Sequence, residues 1–185
     1  MMGAGGGLLH DLGANTGRFS RLAAVSGRYV VSHDIDEMAV ERSYRQGVAQ
    51  AETRVLPLVL DLTMPTPASG WALTERASAL ERMAGVPMVA LALIHHLAIG
   101  NNVPLEHLAG FFARLTPHLV IEFVPKDDSQ VRRLLATRED VFPDYHAEGF
   151  ERAFGRWFTF ERREPVPDTV RTLYLCRRRD DAGVA

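Results

Sequence analysis

Apolar runs of strand length alternate along these 185 residues with stretches of helical period, and that alternation admits few folds beyond a largely parallel sheet wrapped by helices. The runs fall at residues 7–12, 29–33, 55–60, 88–93 and 119–123. The fourth, Met88 to Leu93, is apolar throughout, as a strand covered on both faces requires. Between the runs, a helix over residues 17–25 is expected to bury Phe19, Leu22 and Ala23, and a second spans residues 37–47. Pro65 and Pro67 force a loop, after which Trp71, Leu73, Ala77, Leu80 and Met83 mark a third helix with Trp71 in the core. Pro104 opens a fourth, carrying Leu105, Leu108, Phe111, Phe112 and Leu115, and Asp127 and Asp128 cap a fifth. A short helix over residues 148–154 precedes two strands, residues 157–161 and 169–176. Only a turn separates them, so they should pair antiparallel. With neither internal repeats nor a long linker, the pattern reads as one α/β domain over residues 1–178 and a disordered tail at residues 179–185.

Composition narrows the function classes. The chain is 46% hydrophobic, enough for a sizeable core, and its 21 Lys and Arg against 23 Asp and Glu give a net charge of -2. That charge provides no general attraction to nucleic acid or to an anionic membrane, which favours a small-molecule partner. Arg162-Arg163 and Arg177 to Arg179 then read as solvated ends. One cysteine, Cys176, excludes an internal disulfide and suits a reducing, cytoplasmic setting. No run has the apolar length of a membrane span. The seven histidines show no HExxH arrangement, and adjacent His95 and His96 cannot share a strand face, so no metal site is expected.

The strongest local signal is Leu8-Leu9-His10-Asp11-Leu12-Gly13-Ala14-Asn15-Thr16-Gly17, a strand running into a glycine turn that opens a helix, where backbone can approach a nucleotide closely. Asn15 tolerates the left-handed conformation such a loop demands. The loop has no lysine and no GxxxxGK[ST] pattern, which argues against a triphosphate cradle, and its glycine spacing is not the GxGxxG of nicotinamide enzymes. Asp34 follows at the end of the second strand, where a carboxylate can accept from both ribose hydroxyls.

Asp11 to Gly17 resembles the DxGxGxG motif of class I S-adenosylmethionine-dependent methyltransferases, His33-Asp34-Ile35-Asp36 their acidic second-strand end, Asp61-Leu62 their third-strand end, and Ala92 to Leu97 their fourth-strand loop. The run from Ala90 through Pro104 and Ile121 to Asp128 is similar to a bacterial group of methyltransferases of undefined substrate, some called nodulation-associated. The resemblance implies a Rossmann-like three-layer sandwich with a seven-stranded, mostly parallel sheet of order 3-2-1-4-5-7-6 and an antiparallel seventh strand. It implies S-adenosylmethionine as cofactor, held by Asp11, Gly13, Asn15, Gly17, Asp34, Ile35, Asp61 and Leu62. Asp34 would take the ribose, Ile35 the adenine face, Asp61 the adenine amino group, and Asp11 and Gly13 the methionine end. An ordinary solvated strand end or helix cap is the bland alternative for Asp34 and Asp61.

Methyl transfer from an activated sulfonium chiefly requires alignment of an acceptor, so few catalytic residues are needed. His95 and His96 follow the fourth strand, where an open α/β sheet places ligands, and either could hold or deprotonate an acceptor; a packing histidine is the alternative. Glu122, late in the fifth strand, is a third candidate, with a structural hydrogen-bond partner as its alternative. Family members usually carry a segment before the first strand that covers the cofactor, whereas here the glycine motif begins near residue 1. A partner chain covering the site, an upstream start, or a binding module without turnover are the three expectations that follow. His10 stands where an apolar residue is usual, and Met88 where an acid is common.

Overall fold

The computed structural model describes residues 6–180, which cluster into two compact units that divide between Val89 and Ala90. The first contains β1 (Leu8–Leu12), α1 (Arg18–Val25), β2 (Tyr29–Asp34), α2 (Glu37–Ala49), β3 (Val55–Val59), a 3-10 turn (Trp71–Leu73), α3 (Ala79–Met83) and the start of β4 (Met88–Ala90). The second contains a π-helical turn (His96–Gly100), α4 (Leu105–Leu115), β5 (His118–Phe123), α5 (Ser129–Leu135), α6 (Ala147–Gly155), β6 (Phe158–Pro165) and β7 (Thr172–Arg178). The seven strands form one mixed sheet of order β3-β2-β1-β4-β5-β7-β6, with β7 antiparallel to both β5 and β6, as the sequence led us to expect.

In the first unit β1, β2 and β3 run parallel, with Leu12 opposite His33 and Asp34 opposite Val59, so three strands end at one sheet edge. Leu9, Leu12, Val30, Ala39, Met83 and Met88 are buried and form its core. Asp36 caps α2 by accepting from the Met38 and Ala39 amides at 2.9 and 3.3 Å, an arrangement worth about 1 kcal/mol. Ser78 and Glu81 form a reciprocal capping box at the start of α3.

Two expectations for this unit are corrected. The buried residue of α1 is Ser20, while Phe19 and Leu22 are exposed. The reason is the buried Asp11 carboxylate, which requires a donor; Ser20 Oγ supplies it at 2.5 Å and thereby fixes the rotation of α1. Trp71 is 83% exposed rather than core. Between Pro67 and Ser78 the backbone makes one 3-10 turn, with Ala72 and Leu73 at positive φ, so the helical pattern read there never becomes a helix before residue 79.

The second unit is built on aromatic packing. Phe150 of α6 stacks on Phe154 at 4.4 Å between centroids and also meets Phe123 at 5.2 Å and Tyr174 at 4.9 Å. All four are buried, each such ring contributing on the order of 2–3 kcal/mol of burial. The β6–β7 connection is narrower than the sequence suggested, because β6 continues to Pro165. Likewise β7 continues to Arg178, so Arg177 and Arg178 are strand residues: Arg177 Nε donates to Glu161 at 2.8 Å and Arg178 Nη1 to the Ala113 carbonyl at 2.9 Å. Of the tail expected at 179–185, residues 181–185 lie outside the described residues. Cys176 is buried, and burial pushes its thiol up to about 12. No helix among the described residues is long and apolar enough to cross a membrane.

Candidate cofactor and acceptor-handling residues

The turn after β1 is held to the end of β2 by its own backbone. The amides of Gly13 and Ala14 both donate to the His33 carbonyl at 2.9 Å, and the Asn15 amide donates to Asp34 Oδ2 at 2.7 Å. Such a path requires left-handed residues, and Gly13, Asn15 and Gly17 have φ of 72, 49 and 78°. Asn15 secures its position by accepting the Thr16 amide on its own Oδ1 at 2.8 Å. At Gly17 a side chain is excluded twice over: an added Cβ would lie 2.7 Å from Ser43 Oγ and 2.9 Å from Arg21 Nη1.

Arg21, which sequence reasoning missed, braces this loop from below. Its guanidinium donates to the carbonyls of Thr16 and Ser43 at 2.6 and 2.9 Å and pairs with Glu52 at 2.8 Å. An arginine inside an amphipathic helix reads from sequence as a solvated residue, so nothing local signalled it.

Asp34 accepts the Asn15 amide on one oxygen and the Asp36 amide on the other, at 2.7 and 2.9 Å. Each carboxylate oxygen has a second lone pair, so the group can be both anchor and acceptor for further donors. Beside it Ile35 is 64% exposed, an apolar side chain presented next to an acid. The Leu60 amide donates to the Asp34 carbonyl at 2.9 Å and so ties the end of β3 to that of β2. Asp61 follows directly; its Oδ1 accepts from the Thr63 amide and hydroxyl at 2.8 and 2.7 Å, bonds that hold its carboxyl below the usual carboxylate range. Leu62 is half-buried in the same turn. Asp11 differs from the other two acids. It is buried, its carboxyl is pushed upward by burial, and its bond to Ser20 gives it a bracing position between β1 and α1.

Asp11, Gly13, Asn15, Gly17, Asp34, Ile35, Asp61 and Leu62 thus occupy consecutive strand ends and their turns on one edge of the first unit. The arrangement fits an adenosine-bearing cofactor in kind: half-buried carboxylates at Asp34 and Asp61 for hydroxyl and amino donors, an apolar face beside them, and a loop without bulk at Gly13 and Gly17.

Beneath this edge, His10 and His33 form a buried pair, Nδ1 of one 2.9 Å from Nε2 of the other. Their remaining ring nitrogens are buried and have no hydrogen-bond partner. Burial, His10 and Arg82 together hold His33 down at about 4, and burial lowers His10 as well. The unusual histidine of β1 is therefore explained by its neighbour in β2.

In the second unit the three candidate acceptor-handling residues separate by environment. His95 is 1% exposed, neither ring nitrogen has a hydrogen-bond partner, and burial with the nearby His96 lowers it to about 4. His96 is exposed, its ring 4.2 Å from that of His95. Glu122 is buried with both oxygens engaged: Oε2 accepts the Ala92 amide at 2.5 Å and Oε1 lies 3.5 Å from Arg171. Arg171 also donates to both oxygens of Asp128 at 2.7 and 3.2 Å, which lowers the Asp128 carboxyl, while Asp128 caps α5 through the Gln130 amide. One arginine thus joins the end of β5 to the start of α5 and, through Glu122, the loop after β4. It lies in the β6–β7 turn, far from its partners in sequence, so no spacing announced it.

No family model matches the chain. It is 40% identical over 169 residues to the nodulation protein NoeA of Rhizobium meliloti (strain 1021), a match covering 91% of this chain and 35% of NoeA, so the chain spans about a third of that relative's length. Among solved structures it is similar to the PH0226 protein of Pyrococcus horikoshii OT3, with a TM-score of 0.65, 17% identity, and coverage of 95% of this chain and 84% of that one. It is also similar to magnesium protoporphyrin IX methyltransferase of Synechocystis PCC 6803 with bound SAH, with a TM-score of 0.63, 17% identity and coverage of 94% and 75%. A TehB-like SAM-dependent methyltransferase of Corynebacterium glutamicum aligns with a TM-score of 0.54, 16% identity and coverage of 96% and 83%. The last two are methyltransferases, and this chain has their fold.

Proposed function

We propose that this chain is an S-adenosylmethionine-dependent methyltransferase unit acting on a small-molecule acceptor in the cytoplasm. The observation that supports this reading best is the edge of the first unit, where a left-handed glycine turn is fastened by the Asn15 amide to Asp34, with Ile35 exposed beside it and Asp61 at the next strand end. In this reading Asp34 accepts from the ribose, Ile35 lies against adenine, Asp61 accepts from the adenine amino group, and the Gly13 to Gly17 backbone lies along the methionine end. Bound there, S-adenosylmethionine would supply a methyl group already activated by its sulfonium. The protein's task is then to position an acceptor and relieve it of a proton. Of the candidates in the second unit, His96 is exposed and suited to take a proton on a ring nitrogen, whereas His95 is buried and Glu122, also buried, holds the loop after β4 through the Ala92 amide.

A thermal-shift series with S-adenosylhomocysteine, S-adenosylmethionine and NAD tests the cofactor. Stabilisation by the first two and not by NAD is expected, and stabilisation by NAD alone would overturn the proposal.

A second reading is a binding module that needs a partner chain for turnover. Phe19, Leu22 and Trp71, exposed apolar side chains of the first unit, are the surface such a partner would cover. Label transfer from methyl-labelled donor into a cell extract separates the two: transfer by this chain alone supports the enzyme, and binding without transfer supports the module.

A further inference from the structure

The second unit contains a cavity of about 380 Å³, within the size range of small-molecule sites. One wall is the segment from Ala98 to Glu106, the other the segment from Val141 to Tyr145. Its surface is mostly apolar, formed by Val103, Leu105, Val141, Phe142 and Pro143 among others.

The cavity is braced rather than slack. Arg138 donates to the Ile99 carbonyl and to Asn102 Oδ1, and lies over the Phe142 ring at 5.1 Å. Lys126 donates to both oxygens of Asp140 at 2.8 and 2.7 Å and to the Phe142 carbonyl at 2.7 Å. The first wall begins within the π-helical turn His96–Gly100 and includes the left-handed Asn102 (φ 56°), irregular backbone that costs energy and is frequent at ligand-binding segments.

The charge left to the cavity is negative. Arg138 and Lys126 are committed to the walls themselves. Asp144, on the second wall, pairs with Arg152 at 3.2 Å. Glu106, half-buried in the first turn of α4, has no ion-pair or hydrogen-bond partner among the described residues. A helix start alone would account for an acid at this position but not for its place on the wall of an apolar cavity.

We propose that this cavity binds a small apolar molecule bearing a protonated amine, with the apolar body against Val103, Phe142 and Pro143 and the ammonium group on Glu106. An ammonium ion supplies the donors that a lone carboxylate requires, whereas a carboxylate ligand would meet Glu106 and Asp144 with like charge. The inference goes beyond the methyl-transfer reading and does not depend on it.

Three indole probes of one body and different charge decide the matter: tryptamine (cation), tryptophol (neutral) and indole-3-acetate (anion). Each is titrated into methyl-labelled protein while the Val103, Leu105 and Val141 methyl signals are followed. Tryptamine should shift all three and bind about tenfold or more tightly than indole-3-acetate. In Glu106→Gln, which keeps the side-chain shape, tryptamine should weaken about tenfold while tryptophol is unchanged. Equal affinity for the cation and the anion, tryptamine binding unaffected by Glu106→Gln, or no shift at these methyls up to the solubility limit of tryptamine would overturn the proposal. Because no S-adenosyl compound is present, failure here leaves the thermal-shift test of the cofactor untouched, and the reverse holds.

Discussion

The Asn15 amide donates to the Asp34 carboxylate at 2.7 Å, so the acid that ends β2 also fixes the turn that ends β1. A single side chain thereby shapes the backbone of the proposed cofactor loop while remaining able to accept from a ribose. Removing it should cost both functions. Asp34→Ala is expected to weaken S-adenosylhomocysteine binding by about a hundredfold, the loss of two charge-assisted hydrogen bonds. Its effect on stability should be about 1 kcal/mol, because the site is at an exposed strand end. Calorimetric titration and thermal unfolding measure the two quantities separately. Asp34→Ala with full affinity would show that the ribose lies elsewhere.

Gly17 provides an independent test of the same loop. Its φ of 78° is strained for any L side chain, and an added Cβ would press on Arg21, whose guanidinium holds the Thr16 carbonyl. Gly17→Ala should therefore destabilise by about 1–3 kcal/mol and weaken cofactor binding together. Asn15→Gly should be mild by comparison, within about 1 kcal/mol, since the left-handed conformation at residue 15 suits glycine better than asparagine. Chemical denaturation of both variants provides the comparison.

Arg171 joins Asp128 and Glu122, two acids buried in the second unit. Arg171→Met keeps the length of the side chain but leaves both carboxylates without their cation. A loss of about 2–3 kcal/mol is expected, less than for a fully enclosed pair because the guanidinium is partly exposed. Glu122→Gln should cost less, about 1 kcal/mol, since its amide oxygen can still accept the Ala92 amide. If Glu122 only positions the loop after β4, methyl transfer by Glu122→Gln should keep the pH profile of the unaltered protein. A displaced profile would make the carboxyl a participant in proton transfer.

The fold and the gathering of the candidate strand ends on one edge of the first unit were legible in the sequence because both are written in local patterns. Strand ends at Asp11, Asp34 and Asp61 follow from apolar runs, and the left-handed turn follows from glycines with an asparagine between them. Most of what was not legible arises from interactions between separate elements. α1 faces its Ser20 inward because a buried Asp11 must be satisfied, which no helical period encodes; periodicity placed Phe19 and Leu22 inside, and they are outside. Trp71 is apolar but follows two prolines whose loop gives it nothing to pack against. His10 became intelligible only once β1 and β2 were paired, since its partner lies in the other strand. Arg171 reaches Asp128 and Glu122 from a hairpin turn that propensity describes only as a turn.

That histidine pair makes the protein's acid response predictable. Folded His33 is held at about 4, against an ordinary value of 6.5, by burial first and then by His10 and Arg82, and His95 is held at about 4 by burial and His96. Between these values the unfolded chain takes up protons that the folded chain refuses. Stability should therefore be insensitive to these groups above about pH 6.5, fall as pH drops from there toward about 4, and lose on the order of 3 kcal/mol per histidine across that window. Asp11, whose carboxyl is raised by burial, acts in the opposite sense near its own range and blunts the lowest part of the decline. Denaturant unfolding at intervals from pH 7.5 to 4.5 would record the slope. Replacing the pair with His10→Leu and His33→Leu should remove the contribution of the first unit and leave that of His95, roughly halving the steepness. An unaltered slope in that double variant would mean that the pair is protonated, or opened to water, in the folded protein.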